Sequence, residues 1–303
     1  ALMSQAEAFE AVHVPTTLDL LEPARDRFRY QEAFVLQTIL ALRRKAMAAS
    51  DATARPGSDD GLARAIEQRL PFALTEGQQN AVAEIRGDLA RPAPMQRLLH
   101  GEVGAGKTLV ALLAMATVVD SGGQAVLLAP TEVLAAQHHA SISALLGELA
   151  EAGTLLGGST GTQVVLLTGS ASAASRREAL LKIVSGEAGI VVGTHALLNE
   201  AVQFADLGLV VVDEQHRFGV EQRAALLERG SGTSRPHLLV MTATPIPRTV
   251  AMTVFGDLDV TTLRELPAGR AGVSTFVVNE SLAPRHAERT WERVVEEVGQ
   301  GRK

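Results

Sequence analysis

The sequence predicts an α/β fold, a mostly parallel sheet with helices on both faces, preceded by a long N-terminal helix. Three observations carry that expectation. From about residue 95 onward, short apolar runs alternate with stretches of helical periodicity. Several of those runs, Leu209-Val-Val-Val212 above all, lack polar alternation, which is the pattern of strands buried on both faces. Residues 23–49 place Phe28, Phe34, Val35, Ile39 and Leu42 at helical spacing and close on Arg43, Arg44 and Lys45, cations suited to a helix C-terminus.

Taken in order, the long helix opens at Pro23, a residue at home in a first helical turn. Asp51 to Gly61 is rich in turn formers and reads as a loop or linker. Strands follow at Gln96–His100, Ala125–Ala129, Val164–Thr168, Ile190–Gly193, Leu207–Val212 and Leu238–Met241. Helices are expected near 107–120, 131–150, 175–185, 218–229 and 246–254. Polar, glycine-rich inserts at 153–163, 169–175 and 230–236 read as surface loops. Leu266 to Arg270 reads as a hinge, with Thr275–Asn279 as one further strand and Pro284–Val298 as one further helix.

Composition excludes several classes. No apolar run reaches the roughly 18–20 residues of a membrane span; the longest, from Leu109 to Val119, already contains Thr117. Cysteine is absent, so disulfide scaffolds, thiolate zinc sites and cysteine nucleophiles fall away. With no signal-peptide pattern at the start, a reducing cytoplasm is the expected location. Net charge is −6, so no global basic field is available and nucleic acid would have to be met by a local surface. The eight histidines show no helical zinc spacing, and adjacent His138 and His139 cannot both face one ion from a helix.

Chemistry concentrates in two places. The run Gly101-Glu102-Val103-Gly104-Ala105-Gly106-Lys107-Thr108 fits G-x-x-x-x-G-K-[ST], after a predicted strand and before a predicted helix. Glycines let successive N–H groups turn inward toward phosphate oxygens, and the following helix adds the positive end of its dipole. Lys107 would neutralise the β- and γ-phosphates of ATP, and the Thr108 hydroxyl would ligate magnesium. The second place is Asp213-Glu214, where a buried strand leaves the sheet. Strand ends of this kind face ligands in open parallel sheets, so Asp213 would hold magnesium and Glu214 would orient and deprotonate the attacking water. Read alone, such a pair is equally a solvated strand end.

Glu214 is followed by Gln215-His216-Arg217-Phe218-Gly219-Val220, and residues 241–249 read Met-Thr-Ala-Thr-Pro-Ile-Pro-Arg-Thr. Together these resemble superfamily-two helicase motors, most closely the RecG-type branch-migration helicases, along nearly the whole chain from about residue 11. The resemblance implies a RecA-like P-loop domain over 51–265, preceded by the tail of a wedge domain and its connecting helix over 1–50. It also implies a hinge and the truncated start of a second motor domain over 266–303. It makes Phe72 and Gln78 the adenine-reading residues, a stacking face and a carboxamide edge. By spacing alone Gln78 is an ordinary helix-surface residue. The resemblance gives DNA-backbone contacts to Pro130, Thr131 and Gln137, to Thr168 and Gly169, and to Thr194 and His195; by themselves these are turn and N-cap residues. It gives coupling of hydrolysis to movement to Gln215, His216, Thr242, Thr244 and Arg248.

The implied activity is that of an ATP-dependent DNA helicase on replication forks and branched DNA, serving branch migration, fork reversal, recombination and repair, with ATP and magnesium as cofactors. Expected partners are forked DNA and the second RecA-like lobe and wedge domain of the same full-length protein, in a monomer without a membrane. Transcription-repair coupling translocases share the His216–Gly219 and Thr242–Thr249 elements and form the alternative; Gln215 and the Arg43–Lys45 cluster favour the RecG type. The guanine-selecting Asn-Lys-x-Asp motif is missing, which sets GTPases aside. No arginine-finger motif follows before Lys303, and such a finger is worth about 10³–10⁵ in rate. The isolated chain is therefore expected to bind magnesium–ATP weakly and hydrolyse it feebly, with Ala1 and Lys303 as cut ends.

Overall fold

A computed structural model of the chain describes residues 2–151, 161–213, 226, 234–243, 258–264, 277–279 and 284–300. The strands are β1 (Gln96–Gly101), β2 (Gln124–Leu128), β3 (Val164–Leu167), β4 (Ile190–Gly193), β5 (Leu207–Asp213), β6 (His237–Thr242) and β7 (Asp259–Leu263). They form one sheet in the order β3-β4-β2-β5-β6-β1-β7, and all the pairings are parallel. Consecutive apolar residues serve two cores at once. Ala125, Leu127, Leu209, Val211, Leu239 and Met241 fill the layer on one face; Val126, Leu128, Val210, Val212, Leu238 and Val240 fill the other. Since successive side chains of a strand point to opposite faces, an unbroken apolar run is what a doubly covered strand requires.

The helices are α1 (Gln5–His13), α2 (Leu21–Ala48), α3 (Leu62–Arg69), α4 (Glu76–Leu89), α5 (Lys107–Asp120), α6 (Glu132–Leu146) and α7 (Ala173–Val184). Residues 109–118 of α5 are buried without exception, as a helix apolar on all sides must be. It lies on the sheet beneath α3 and α4. The opposite face is covered by α7 and by residues 195–204, through Ala179, Ile183, Leu197, Val202 and Phe204.

Several elements depart from the expectation. The expected helix at 131–150 divides into α6 and a 3₁₀ turn over Gly147–Glu151. Helices α1 and α3 and the strand β7 have no counterpart in the expectation, and α4 extends the helix implied at Gln78 over Glu76–Leu89. β7 is an edge strand with polar alternation and a short Asp-Val-Thr-Thr-Leu sequence, so its signal is faint. The α2 stripe faces outward at Phe34, Val35, Ile39 and Leu42, while Leu40 is buried; near its start, Ala24 and Phe28 pack on Ala8 and Ala11 of α1.

The presumed linker at 51–61 is strapped to the domain. Ala52 N–H donates to Pro92 O, Arg55 N–H to Leu89 O and Arg235 N–H to Asp51 O. The buried Arg55 guanidinium pairs with Asp206 and donates to Ser121 O. Turn-forming composition marks an irregular backbone and says nothing of whether that backbone is docked. The expected helices at 218–229 and 246–254 lie outside the described residues, apart from Leu226.

The chain divides into two units, Ala1–Pro267 and Ala268–Lys303. Described residues of the second are 277–279, which are irregular where a strand was expected, and α8 (Pro284–Gly299). This helix exposes Trp291, Val295 and Val298 and pairs Arg293 with Glu296 and Glu297.

Candidate active site

The phosphate-loop segment leaves β1 at buried Gly101 and enters α5 through Gly106. Gly104 and Gly106 hold φ of +84° and +87°, left-handed backbone that favours glycine. A Cβ at Gly101 would come within 3.0 Å of Leu263 Cβ on β7, and one at Gly106 would overlap the Gln78 carboxamide. Ala105 N–H donates to Glu102 O at 3.1 Å and closes the turn. Lys107 Nζ donates to the carbonyls of Gly101 and Glu102 at 2.7 and 2.9 Å, which lays its charge over the loop. As N-cap of α5, Gly106 brings no side-chain acceptor, so the loop and helix end offer N–H groups of the kind that receive phosphate oxygens.

Gln78 departs from the helix-surface reading. It is 3% exposed and forms a capping box with Thr75 at the start of α4: Gln78 Oε1 accepts Thr75 N–H, and Thr75 Oγ1 accepts Gln78 N–H. Its Nε2 donates to Ala105 O at 2.9 Å, so α4 holds the loop from beneath. Phe72, 52% exposed, leaves a ring face open just ahead of α4.

Asp213 ends β5 with its side chain 14% exposed. It pairs with Met241, which pairs with Leu99, and Thr242 pairs with His100. Asp213 thus leaves the sheet at the same end as the phosphate loop, two strands away, about 10 Å at the ordinary strand spacing. Thr242 is fully buried between these two strands at that end. Carboxylate and hydroxyl are the hard oxygen donors that magnesium takes, and it needs only one or two of them from protein. Asp213 and Thr108 therefore fit that ion. Glu214, Gln215, His216, Thr244 and Arg248 lie outside the described residues.

The remaining candidates gather at the C-terminal ends of three adjacent strands, β3, β4 and β2. Thr131 is the N-cap of α6, accepting Leu134 N–H. Gln137, Gly169 and His195 are exposed, and Pro130 is half-buried. Thr168 and Thr194 are 8% and 1% exposed; Thr168 Oγ1 lies 3.4 Å from the hydroxyl of exposed Ser170, and Thr194 Oγ1 has no partner among the described residues. Exposed Gly169, Ser170 and His195 form the surface beside them.

Sequence reasoning missed two features of this edge. Glu132 accepts both Ser170 N–H and Ser170 Oγ–H, and those bonds hold its carboxyl below the ordinary glutamate range. His138, on α6, bonds Asp213 Oδ2 through Nε2 at 2.7 Å. Both contacts join residues far apart in the chain, and only strand order brings them together.

A sequence profile of DEAD/DEAH box helicases matches residues 75–253. The chain belongs to the DEAD/DEAH box helicase family. The profile begins at the Thr75 cap of α4 and takes in the phosphate loop, Asp213 and the end of β6, so this helicase domain includes both halves of the site. Among relatives, the chain is 50% identical to the ATP-dependent DNA helicase RecG of Mycobacterium tuberculosis over 99% of its own length and 41% of that protein. It is 42% identical to the RecG of a Synechocystis strain over 99% of its length and 34% of that protein. Among solved structures it superposes on RecG bound to a three-way DNA junction with a TM-score of 0.79 and 35% identity, covering 97% of this chain and 37% of that one. The chain thus spans about two fifths of the relatives it matches, and its sheet with the helices on it makes up a RecA-like helicase fold, preceded by the long N-terminal helix.

Proposed function

We propose that this chain is the ATP-binding half of an ATP-dependent DNA helicase that works on forked and branched DNA. The observation that carries the reading is the strand register: it brings the phosphate loop and Asp213 to one end of the sheet, in line with the strand ends chosen as the DNA surface. Likeness to RecG proteins, one of them solved on a three-way DNA junction, supports branched DNA as the substrate class. On this reading residues 51–265 are the first motor domain, 1–50 the tail of the wedge domain, and 266–303 the hinge and the start of the second lobe. These last two regions make the rest of the full-length protein its partners.

The chemistry is in-line attack of water on the γ-phosphorus of ATP. The ring of Phe72 stacks on adenine. Gln78 reads its edge while supporting Ala105; a carboxamide has two donor hydrogens and two acceptor lone pairs, so the bonds to Ala105 and Thr75 do not exhaust it. Loop N–H groups and Lys107 receive the phosphates, and Glu214 orients the attacking water and takes its proton. Thr108 and Asp213 would hold magnesium, which when bound would offset charge on the phosphates. Thr242 and Thr244, with Gln215, His216 and Arg248, pass the loss of the γ-phosphate to the DNA-binding edge. There the N–H groups and polar atoms around Thr131, Gly169 and His195 meet backbone phosphates, which give affinity without sequence preference.

The test is binding of a fluorescent ATP analogue by this chain, with and without a forked duplex. Lys107→Ala should abolish nucleotide binding, and the forked duplex should bind in a salt-sensitive way. A Lys107→Ala chain that binds ATP as the parent does would refute the assignment.

A further inference from the structure

We infer that His138 is a positioning residue for Asp213, holding that carboxylate in the orientation in which it receives the cation that accompanies ATP; the inference rests on the reading of Asp213 given above. The adjacent histidines of α6 part company: His139 points its Nε2 to the Val164 carbonyl at 3.4 Å, while His138 points its Nε2 to Asp213 Oδ2 at 2.7 Å. Both members of the second pair are largely shielded, with side chains 13% and 14% exposed. A contact across 75 residues of sequence in such surroundings differs from a solvated surface pair, whose geometry is loose and whose worth is small.

The fold explains why His138 arrives there. α6 starts at Thr131, just past the end of β2, and β2 lies beside β5 in the sheet. His138 is in the second turn of α6, about 10 Å along the axis from Thr131, and from there it reaches over to the end of β5. The bond engages one carboxylate oxygen and restrains rotation of the carboxyl group about its Cβ–Cγ bond, and a carboxylate has its second oxygen to offer a ligand. Outer partners of this kind orient a metal-holding group, and their loss commonly costs about 10–100-fold in metal affinity. The same helix carries Thr131 and Gln137 of the proposed DNA surface, so the residue that holds Asp213 stands on the element that meets DNA.

The experiment measures binding of a fluorescent ATP analogue by the whole chain as magnesium is titrated, for the parent, His138→Leu and His138→Gln, with melting curves of each. Gln presents an N–H donor where His presents Nε2–H; Leu fills similar space without one. His138→Leu should raise the magnesium concentration for half-maximal binding by about tenfold or more, with magnesium-free ATP binding and the melting midpoint little changed. His138→Gln should restore most of the loss. An unchanged magnesium dependence in His138→Leu overturns the inference, as does equal impairment of both variants or a parallel fall in magnesium-free binding. Should His138→Leu fail to fold, His138→Ala replaces it, and failure of both marks a purely structural residue and overturns the inference too. A parent chain whose ATP binding ignores magnesium sinks the functional reading itself. A magnesium-dependent parent with an indifferent His138→Leu sinks only the role of His138.

Discussion

Gly106→Ala probes the tie between α4 and the phosphate loop, and its cost divides into two parts. A side chain at φ +87° costs about 1–2 kcal/mol. The added Cβ would also drive the Gln78 carboxamide off Ala105 O, at about 0.5–1.5 kcal/mol for the lost hydrogen bond. Together they predict about 1.5–3.5 kcal/mol, or roughly 3–14 °C in the melting midpoint of a unit this size. Gln78→Ala alone loses the same bond and the capping partner of Thr75, about 1–2 kcal/mol. The double variant loses the Gln78–Ala105 bond only once and no longer suffers the overlap, so it should fall short of the sum of the singles by about 1 kcal/mol. Urea unfolding followed by circular dichroism is the assay, because the single tryptophan, Trp291, lies on α8 in the other unit. Additive singles would show that Gln78 does not support the loop, and the account of α4 as its buttress would fail.

Two further outcomes follow from the docked strap. His237 is 1% exposed; its Nδ1 accepts Met95 N–H and its Nε2–H donates to Thr53 O. Burial pushes its pKa below the ordinary 6.5, outweighing the Thr53 carbonyl, which raises it. The unfolded chain therefore takes up this proton first, so stability is full above about pH 6.5 and declines as pH falls below that value until the folded state also protonates. His237→Gln should flatten this part of a stability-against-pH curve, and an unchanged slope would contradict the assignment. Arg55→Met should cost about 1–3 kcal/mol by urea unfolding, less than the 3–5 kcal/mol of a fully buried pair, because the Asp206 side chain left behind is 33% exposed. A neutral result would mean the strap is not anchored there.

What the sequence made legible was whatever local periodicity or a contiguous motif encodes. Leu209 to Val212 was legible as a doubly covered strand because its apolar run is short and mostly β-branched, whereas a helix buried all round, such as α5, needs a longer one. The phosphate loop was legible because its glycines and Lys107 act as neighbours in sequence. Contacts that close between strands far apart in the chain were not. Gln78 has the spacing of a helix-surface residue, and only the proximity of β1 to α4 buries it against Ala105. Thr168 and Thr194, given DNA contacts by the resemblance, are buried, and whether a hydroxyl is buried or exposed is not written in its letter. β7 escaped notice because an edge strand covered on one side needs only Thr261 and Leu263 inward.

Strand order also bears on how the two proposed activities communicate. Along the C-terminal edge, β3, β4 and β2 bear the residues assigned to DNA, and β5, β6 and β1 bear those assigned to nucleotide. The β2–β5 boundary is where the halves meet, and side chains of α6, which packs on β3 and β4, reach both: Glu132 in its first turn clasps Ser170 beyond β3, and His138 in its second turn bonds Asp213 at the end of β5. A rigid helix of 15 residues cannot shift at one of these contacts without disturbing the other, since they are only about 9 Å apart along its axis. DNA phosphates competing with the Glu132 carboxylate for Ser170 would therefore act on the helix that positions Asp213. On the proposed assignment, one helix, α6, touches both the DNA edge and the nucleotide end of the sheet.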